Sequence, residues 1–139
     1  MLNMVLCLAH YLSLYISLLN QLLYVFERMK IENTKAQMRK GVLEYCILSI
    51  LETQEAYPSD IIHQLKDAKL IVVEGTLYPL LTRLKNSGLL NYRWEESKSG
   101  PPRKYYKLTE VGEKFLAELD STWSDLVQAV NQTTKKTNK

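Results

Sequence analysis

Apolar residues recur every three or four positions through most of the chain, which is the spacing of helices that bury one face against a core. The pattern predicts a first helix over residues 36–52. A second helix is predicted to start at Ser59, which we expect to cap it, and to end within residues 66–69. A third is predicted over residues 74–87, with Gly88 as the residue that stops it. Three helices with short links, the last two close together, indicate a helix-turn-helix.

The period of the pattern changes after Gly88. Residues 89–94 and 103–108 are rich in aromatic and branched side chains and flank a loop with glycine and proline, so they predict a β-hairpin, or wing. Thr109 is then expected to cap a long final helix that ends near Asn131. The predicted fold class is mainly α with a small β-hairpin: a winged helix-turn-helix followed by a long C-terminal dimerisation helix.

Composition narrows the classes of function. The net charge of +3 and the isoelectric point near 8.8 are mildly basic, so the placement of the charge has to decide whether nucleic acid is a partner. Cys7 and Cys46 have neither metal-ligand nor disulfide spacing, and free thiols fit a cytoplasmic protein. His10 and His63 stand apart from acids and thiols, so we expect no metal site and no cofactor. The sequence has no nucleophile elbow and no phosphate-cradling glycine loop, so we do not expect an enzyme.

Positive charge is concentrated in the predicted wing. Residues 97–107 contain basic side chains and no acidic one, the basic residues being Lys98, Arg103, Lys104 and Lys107. Beside the turn at Gly100, such side chains are able to approach the phosphates of duplex DNA and release counterions. A narrow hairpin tip also fits the minor groove. The alternative is a solvated turn that happens to be basic.

The third predicted helix carries polar residues away from its apolar stripe. Its residues off the stripe include Gly75, Thr76, Tyr78, Thr82, Arg83 and Lys85. In a recognition helix the first of them would face the major groove, where Gly75 permits close backbone approach and Arg83 pairs with phosphate or guanine. Pro79 falls in the first turns, where its missing N–H is expected to cost little. The alternative for Tyr78 and Pro79 is a role in packing alone.

Two strings in the sequence are typical of one family when they occur together. Residues 75–90 read GTLYPLLTRLKNSGLL, and residues 100–112 contain GPPRKYY followed by LTEVG. With both strings present, the chain closely resembles the PadR family of bacterial transcription regulators over roughly residues 38–130.

The resemblance implies a role for each string. Tyr78, Pro79 and Arg83 would lie on the recognition helix, and the strand that contains Tyr105 would support the wing. The helix from Thr109 onward would be the dimerisation helix, as in the short branch of the family that has a single C-terminal helix. The residues expected to contact DNA are Ser59, Gly75, Thr76, Tyr78, Pro79, Thr82, Arg83, Lys98, Gly100, Arg103, Lys104 and Tyr105.

The final helix carries an apolar seam that a small domain cannot cover by itself. Leaving its large side chains in water would forfeit about 1.5–3 kcal/mol of burial for each one. A second copy is the simplest cover, so we predict a homodimer whose recognition helices and wings meet DNA half-sites about one helical turn apart. The predicted interface residues are Leu116, Leu119, Trp123, Leu126, Val127 and Val130.

Trp123 has a second interpretation, which comes from the resemblance. In some PadR relatives a tryptophan of this helix lines a cavity at the dimer interface that accepts flat aromatic compounds, and Trp123 matches that position. A small aromatic effector is therefore a candidate partner. The simpler alternative is an ordinary core or interface tryptophan.

The start of the chain stands apart from the rest. Residues 1–26 contain no charged side chain, and at about 1.5 Å per residue a helix of this length crosses a bilayer. Basic residues follow from Arg28 to Lys40 and would keep the remainder in the cytoplasm. Three interpretations stay open: a start codon assigned too early, with translation from Met29; a membrane anchor; or an extra packing helix. We prefer the first, because this segment departs from the usual PadR pattern.

The predicted organisation is an apolar extension over residues 1–28, a winged helix-turn-helix over 29–108, a dimerisation helix over 109–131 and a flexible tail over 132–139. The predicted function is sequence-specific DNA binding by a homodimeric regulator on a pseudo-palindromic operator, with an effector as a further partner. Repression is implied by the family rather than by the residues. The alternatives are a winged helix used for protein contact and a regulator tethered to a membrane, the latter only if residues 1–28 are translated.

Overall fold

The computed structural model describes residues 1–96 and 100–134, without the side chains of residues 2 and 3, so the predicted wing cation Lys98 and the tail beyond Thr134 lie outside it. The described chain is mainly helical with one antiparallel hairpin, as predicted. It divides into two compact units, Met1–Gly41 and Val42–Lys139. The elements are α1 (Leu2–Thr53), α2 (Pro58–Asp67), α3 (Glu74–Asn86), β1 (Leu90–Glu95), β2 (Arg103–Leu108) and α4 (Glu110–Thr134).

The unit Met1–Gly41 is helical from Leu2, far before the predicted helix start at residue 36. No proline or glycine precedes Gly41, and leucine, which favours helices, is frequent, so no residue in this stretch ends the helix. Within α1, an 18-residue window has a mean hydropathy of 1.4 and is 0% buried. By length and composition alone, α1 is therefore able to cross a membrane.

The unit Val42–Lys139 is built around one hydrophobic core to which all six elements contribute. The last turns of α1, one face of α2 and the predicted inner stripe of α3 pack together, and the hairpin and the start of α4 complete the core. The buried residues are Leu43, Ile47, Leu48, Leu51, Ala56, Ile61, Leu65, Leu77, Leu81, Leu84, Leu89, Leu90, Tyr106 and Leu116.

The hairpin is confirmed, and it has a third short partner. β1 and β2 pair antiparallel, with Glu95 opposite Arg103 near the tip. Ala56, in the link between α1 and α2, forms an isolated bridge with Tyr106 through N–H···O bonds of 3.0 and 2.9 Å. Sequence reasoning did not find this bridge, because one paired residue leaves no alternating pattern. The bridge fixes the start of α2 against the wing.

The start of α2 differs from the prediction. The helix begins at Pro58, one residue before Ser59, and Tyr57 is its N-cap residue. Proline suits the first helical position, because its missing N–H would find no helical partner there anyway. The Asp60 carboxylate accepts the Tyr57 N–H at 3.3 Å. The prediction of Ser59 as the cap is therefore wrong.

The end of α3 follows the prediction. Gly88 has a φ of +76°, which a residue with a side chain adopts only with strain. Its N–H donates to the Lys85 carbonyl at 3.0 Å, and the Leu89 N–H donates to the Leu84 carbonyl at 3.0 Å. These two bonds satisfy the last carbonyls of α3 and turn the chain into β1.

The start of α4 is held against the end of α3. The Thr109 hydroxyl oxygen accepts the Gly112 N–H at 3.0 Å, which confirms the predicted cap, and the Thr109 N–H donates to the Leu89 carbonyl at 3.1 Å. Gly112 lies so close to that carbonyl that an added Cβ would meet its oxygen at 2.2 Å. Space, rather than φ, requires glycine here. The helix then continues to Thr134, past the predicted end at Asn131.

We expect Gly112→Ala to lower the free energy of unfolding by roughly 2–3 kcal/mol, because the new methyl group would push α4 off the Leu89 carbonyl. Gly41→Ala is the matched control, since an added Cβ there meets nothing within 4 Å. That change should be neutral or mildly stabilising, as alanine favours helices. Urea unfolding followed by circular dichroism measures both, and equal stability of the two variants would contradict the close approach at Gly112.

Candidate nucleic-acid interface

α3 buries one face and exposes the other. Leu77, Leu81 and Leu84 lie in the core. The residues predicted to contact DNA from this helix all lie on its exposed side, namely Gly75, Thr76, Tyr78, Pro79, Thr82 and Arg83. Ser59, on the first turn of α2, is half-buried. The exposed side of α3 is thus accessible to a partner, and Ser59 is partly accessible on α2.

Gly75 and Pro79 expose the backbone of α3. An added Cβ on Gly75 would meet nothing within 4 Å, and its φ lies outside the left-handed range, so the fold does not require glycine there. Pro79 is the sixth residue of α3, so its missing N–H leaves the Gly75 carbonyl without a helical donor. The expectation that this proline costs little is wrong for that reason. At Gly75 no side chain covers the backbone of α3, and the space beside it is empty to 4 Å.

Tyr78 stands on the exposed side of α3 with 43% of its surface accessible. Partial burial raises the pKa of its phenol, and the neighbouring Tyr57 raises it further. The phenol is therefore protonated at neutral pH and able to donate a hydrogen bond. The Thr82 hydroxyl donates to the Tyr78 carbonyl at 3.0 Å, so Thr82 offers an outside partner only its lone pairs.

Arg83 makes an ionic contact inside the protein. Its guanidinium lies against the carboxylate of Glu44 on α1, within the same unit. The Glu44 Oε1 atom is buried and has no other hydrogen-bond partner among the described residues. A contact between Arg83 and DNA would have to compete with this pair. The arrangement favours a bracing role for Arg83 between α1 and α3, and its predicted DNA contact stays a prediction.

Acidic residues neutralise part of the wing. Glu55 accepts a hydrogen bond from Arg93 at 2.5 Å and lies 3.8 Å from Lys107. Glu95 accepts a second bond from Arg93 at 2.7 Å. The hydrogen bond from Arg93 holds the pKa of the Glu55 carboxyl below its usual range. Lys107, one of the basic residues of the predicted wing, therefore has a carboxylate beside it.

Arg103 and Lys104 pair with no carboxylate in residues 1–96 and 100–134. The Lys104 Nζ lies 4.5 Å from the ring centroid of Tyr92 and 4.9 Å from that of Trp94. The Arg103 guanidinium lies 5.3 Å from the ring centroid of Tyr57. Aromatic faces hold a cation in place without cancelling its charge. Both cations therefore stay able to bind an anion.

Tyr57 is the residue of this surface that sequence reasoning missed. Its ring centroid lies 6.1 Å from that of Tyr105 on β2, in addition to its contact with Arg103. It is also close enough to Tyr78 on α3 to affect the pKa of that phenol. In the sequence, Tyr57 is visible only as the residue before a proline. The bridge at Ala56 is what brings it to the wing.

The outer half of α4 exposes apolar surface. Side chains that are 37–49% exposed occur at Trp123, Leu126, Val127 and Val130. Leu116, by contrast, is 1% exposed, and Leu119 packs against the core. Leu116 thus packs within the chain itself, whereas the half-buried Leu119 and the later part of the seam keep surface that is able to meet another surface.

Trp123 is held on its inner side by α1. Its ring centroid lies 6.1 Å from that of Tyr45, whose hydroxyl donates to the Asp120 carboxylate at 2.5 Å. This hydrogen bond, and then burial, raise the pKa of Tyr45. The contact fixes the indole of Trp123 against α1, and its role toward an effector stays a prediction.

The sequence profile of the PadR-like family of transcriptional regulators matches residues 47–118, from the last turns of α1 to the first turns of α4. The chain belongs to the PadR-like family of transcriptional regulators. The resemblance carried by the two sequence strings is thereby confirmed.

Solved structures of PadR-like proteins share this fold. The chain is 64% identical to a PadR-like transcription factor from Bacteroides fragilis, over 73% of this chain and 99% of that one, with a TM-score of 0.63. It is 32% identical to a PadR family regulator from Eggerthella lenta, over 76% and 93% of the two chains, with a TM-score of 0.70. Bacillus subtilis PadR, solved in complex with operator DNA, is 27% identical over 56% and 46%, with a TM-score of 0.53.

Two observations concern metal-binding and nucleophilic side chains in this PadR-like chain. No three His, Cys, Asp or Glu side chains come together to hold a metal ion in the part of the chain that the structure describes. Burial raises the pKa of the Cys46 thiol, which makes it a poor nucleophile at neutral pH. The family is one of transcription regulators.

For the PadR-like unit we expect Arg83→Ala to lower the free energy of unfolding by about 1–3 kcal/mol, because it leaves a buried Glu44 oxygen without its partner. Glu44→Gln should cost less, and the two changes together should cost less than their sum. Lys85→Ala, elsewhere on α3, is the control. Urea unfolding measures all four variants, and strictly additive costs would show that the pair does not brace α1 against α3.

Proposed function

We propose that this PadR-like chain binds duplex DNA sequence-specifically as a homodimer and represses transcription from a pseudo-palindromic operator. The observation that carries the proposal is the single surface formed by the exposed side of α3 and the wing cations, which Tyr57 connects. A helix face with small polar residues fits the major groove, and a basic hairpin beside it fits the adjacent backbone or minor groove. The complex of Bacillus subtilis PadR with operator DNA supports the same partner here.

The roles divide by chemistry. Thr76 and Tyr78 offer hydroxyl groups to phosphates or base edges, and Gly75 lets the backbone of α3 come close to the groove. Arg103 and Lys104 supply charge at the wing, where no carboxylate pairs with them among the described residues. Phosphate contacts of this kind set affinity and its salt dependence, while contacts with base edges set specificity.

The exposed part of α4 supplies a reason for the second copy. Trp123, Leu126, Val127 and Val130 leave large apolar side chains in water in a single chain. Covering them against the same surface of another chain would bury this area and create a two-fold axis. Two recognition helices related by that axis would require half-sites related by the same symmetry, which is the origin of a pseudo-palindromic operator.

Fluorescence anisotropy tests the proposal, with the full-length protein in a non-ionic detergent, the duplex upstream of its own gene, and a shuffled duplex. We expect tighter binding to the native duplex and a steep loss of affinity between two salt concentrations, because counterions are released from the phosphates. Equal weak binding to both duplexes would contradict specific recognition at that site. Absence of binding to either would favour a winged helix used for protein contact.

Gly75→Ala separates DNA approach from folding. We expect it to stabilise α3 by about 0.5–1 kcal/mol, since glycine weakens a helix interior, and yet to weaken operator binding roughly tenfold, since the new methyl group would crowd the groove. Gly41→Ala is the control, because its added Cβ also meets open space. If Gly75→Ala binds the operator as well as the unaltered chain does, the backbone of α3 does not approach DNA at this position.

A membrane tether is a second candidate, and the exposed apolar segment before Glu27 favours it. If this segment is inserted, the basic residues that follow keep the DNA-binding unit in the cytoplasm.

We expect a membrane-tethered protein to begin at Met1 and to stay with membranes through an alkaline carbonate wash, because its apolar segment is buried in lipid. Leu14→Arg, in the middle of the segment, should release it. The measurements are intact-protein mass spectrometry and sedimentation of a C-terminally tagged chain. A product that begins at Met29 and stays in the supernatant would remove this candidate.

A further inference from the structure

We propose that Tyr57, Tyr78 and Arg103 form one binding site for a phosphate of the DNA backbone, with Tyr57 as its central residue. This site deepens the proposed DNA-binding function and rests on it. Tyr57 is absent from the residues that the sequence pattern selects, so it is a further DNA-contacting residue. The three residues of the site come from the start of α2, the exposed side of α3 and the first residue of β2.

The three side chains are neighbours in the fold. The Arg103 guanidinium lies 5.3 Å from the ring centroid of Tyr57. The Tyr57 ring is also 6.1 Å from the ring of Tyr105, which flanks it on β2. Tyr78 faces Tyr57 from α3 closely enough for the one phenol to affect the other. Tyr57 therefore has a guanidinium on one side and a second phenol close by, contributed by two other elements.

The backbone on both sides of Tyr57 is fixed. Ala56 exchanges two N–H···O bonds with Tyr106 of the wing, of 3.0 and 2.9 Å. The Tyr57 N–H donates to the Asp60 carboxylate, and Pro58 opens α2 immediately afterwards. A side chain on a backbone held from both sides loses little entropy on binding, so this position is preorganised for a ligand.

The chemistry of the three groups matches a phosphate diester. A protonated phenol donates one hydrogen bond, and a guanidinium donates several and carries the charge that an anion requires. Burial, and then the neighbouring Tyr57, raise the pKa of Tyr78, which keeps its phenol in the donor form. The charge of Glu74 raises the pKa of Tyr78 as well, which likewise favours the protonated phenol.

Two acids near the wing, Glu55 and Glu95, are engaged with other cations. Glu55 accepts from Arg93 and lies beside Lys107, so this carboxylate is not directed at Arg103. Glu95 is bonded to Arg93 as well. Around Glu55, the charges of Arg93 and Lys107 are balanced by a carboxylate. Arg103, beside Tyr57, has no such carboxylate among the described residues. A backbone phosphate is the anion that a duplex presents to such a surface.

The test uses the full-length protein in a non-ionic detergent, with fluorescence anisotropy on the native and the shuffled duplex. The shuffled duplex is informative because phosphate contacts do not depend on base sequence. We expect Tyr57→Phe to weaken binding to both about tenfold, the size of a lost hydrogen bond to a charged group. Tyr106→Phe, which removes the phenol hydroxyl of a core tyrosine on β2 that is 6% exposed, is the matched control and should bind normally.

Salt dependence and phosphate neutralisation separate direct contact from packing. Arg103→Ala should weaken binding and reduce the salt slope by about one for each bound chain, whereas Tyr57→Phe should leave the slope unchanged, because its hydroxyl carries no charge. A series of duplexes, each with one methylphosphonate, should contain one position per half-site that weakens binding of the unaltered protein clearly more than binding of Tyr57→Phe, which keeps only the contacts of Arg103 and Tyr78 there.

The outcomes divide cleanly. If the unaltered protein binds neither duplex, the proposed DNA-binding function fails and this inference fails with it. If it binds DNA and Tyr57→Phe binds as Tyr106→Phe does, only the phosphate site is overturned, and Tyr57 is a packing residue. The phosphate site would also be overturned if, at every methylphosphonate position, the loss of binding free energy caused by Tyr57→Phe simply added to the loss caused by the methylphosphonate.

Discussion

The backbone carbonyl of Leu89 is the point on which the DNA-binding unit depends. It follows the last turn of α3, precedes β1 and accepts the N–H of Thr109 at 3.1 Å, just before α4. Gly112 then packs directly over it, at a separation that leaves no room for a side chain. The exposed helix, the wing and the long final helix are therefore set relative to one another within a few residues. Any displacement at this junction would alter all three together, because packed cores transmit strain.

A second constraint governs charge. The basic residues of the wing look equivalent in the sequence, but in the structure they have different partners. Glu55 lies beside Arg93 and Lys107, while Arg103 and Lys104 rest on aromatic rings. Ion pairs of the first kind fix the hairpin on its base, and cations of the second kind keep their charge for a ligand. The mild net charge of the chain thus conceals a local concentration at the wing tip.

The two exposed apolar surfaces differ in kind. On α4 the apolar side chains form a stripe, and the inner residues of the same helix, Leu116 above all, are already buried in the core. Such a stripe is typical of a helix that packs on one partner surface. The segment before Glu27 has no charged residue and no buried residue in its most apolar window, and its polar residues, such as His10, Ser13 and Ser17, follow one face. An exposed, uncharged helix of this length is a candidate for a membrane span, so the two surfaces call for different partners.

Sequence alone determined the order of the elements, the helix-turn-helix with its wing, the family, the glycine that ends α3 and the threonine that caps α4. These features come from local periodicity and from caps within a few residues, which a linear pattern records. Tertiary structure alone decided which residues meet across the fold. It placed Tyr57 against Arg103, tied Arg83 to Glu44, moved Leu116 into the core and required Gly112 under the Leu89 carbonyl. By contrast, the start of α2 at Pro58 and the extension of α1 back to Leu2 follow from local sequence, namely a proline at the first helical position and a run without proline or glycine. Contacts between residues far apart in the chain depend on distances that only the packed core sets, and no pattern along the sequence encodes them.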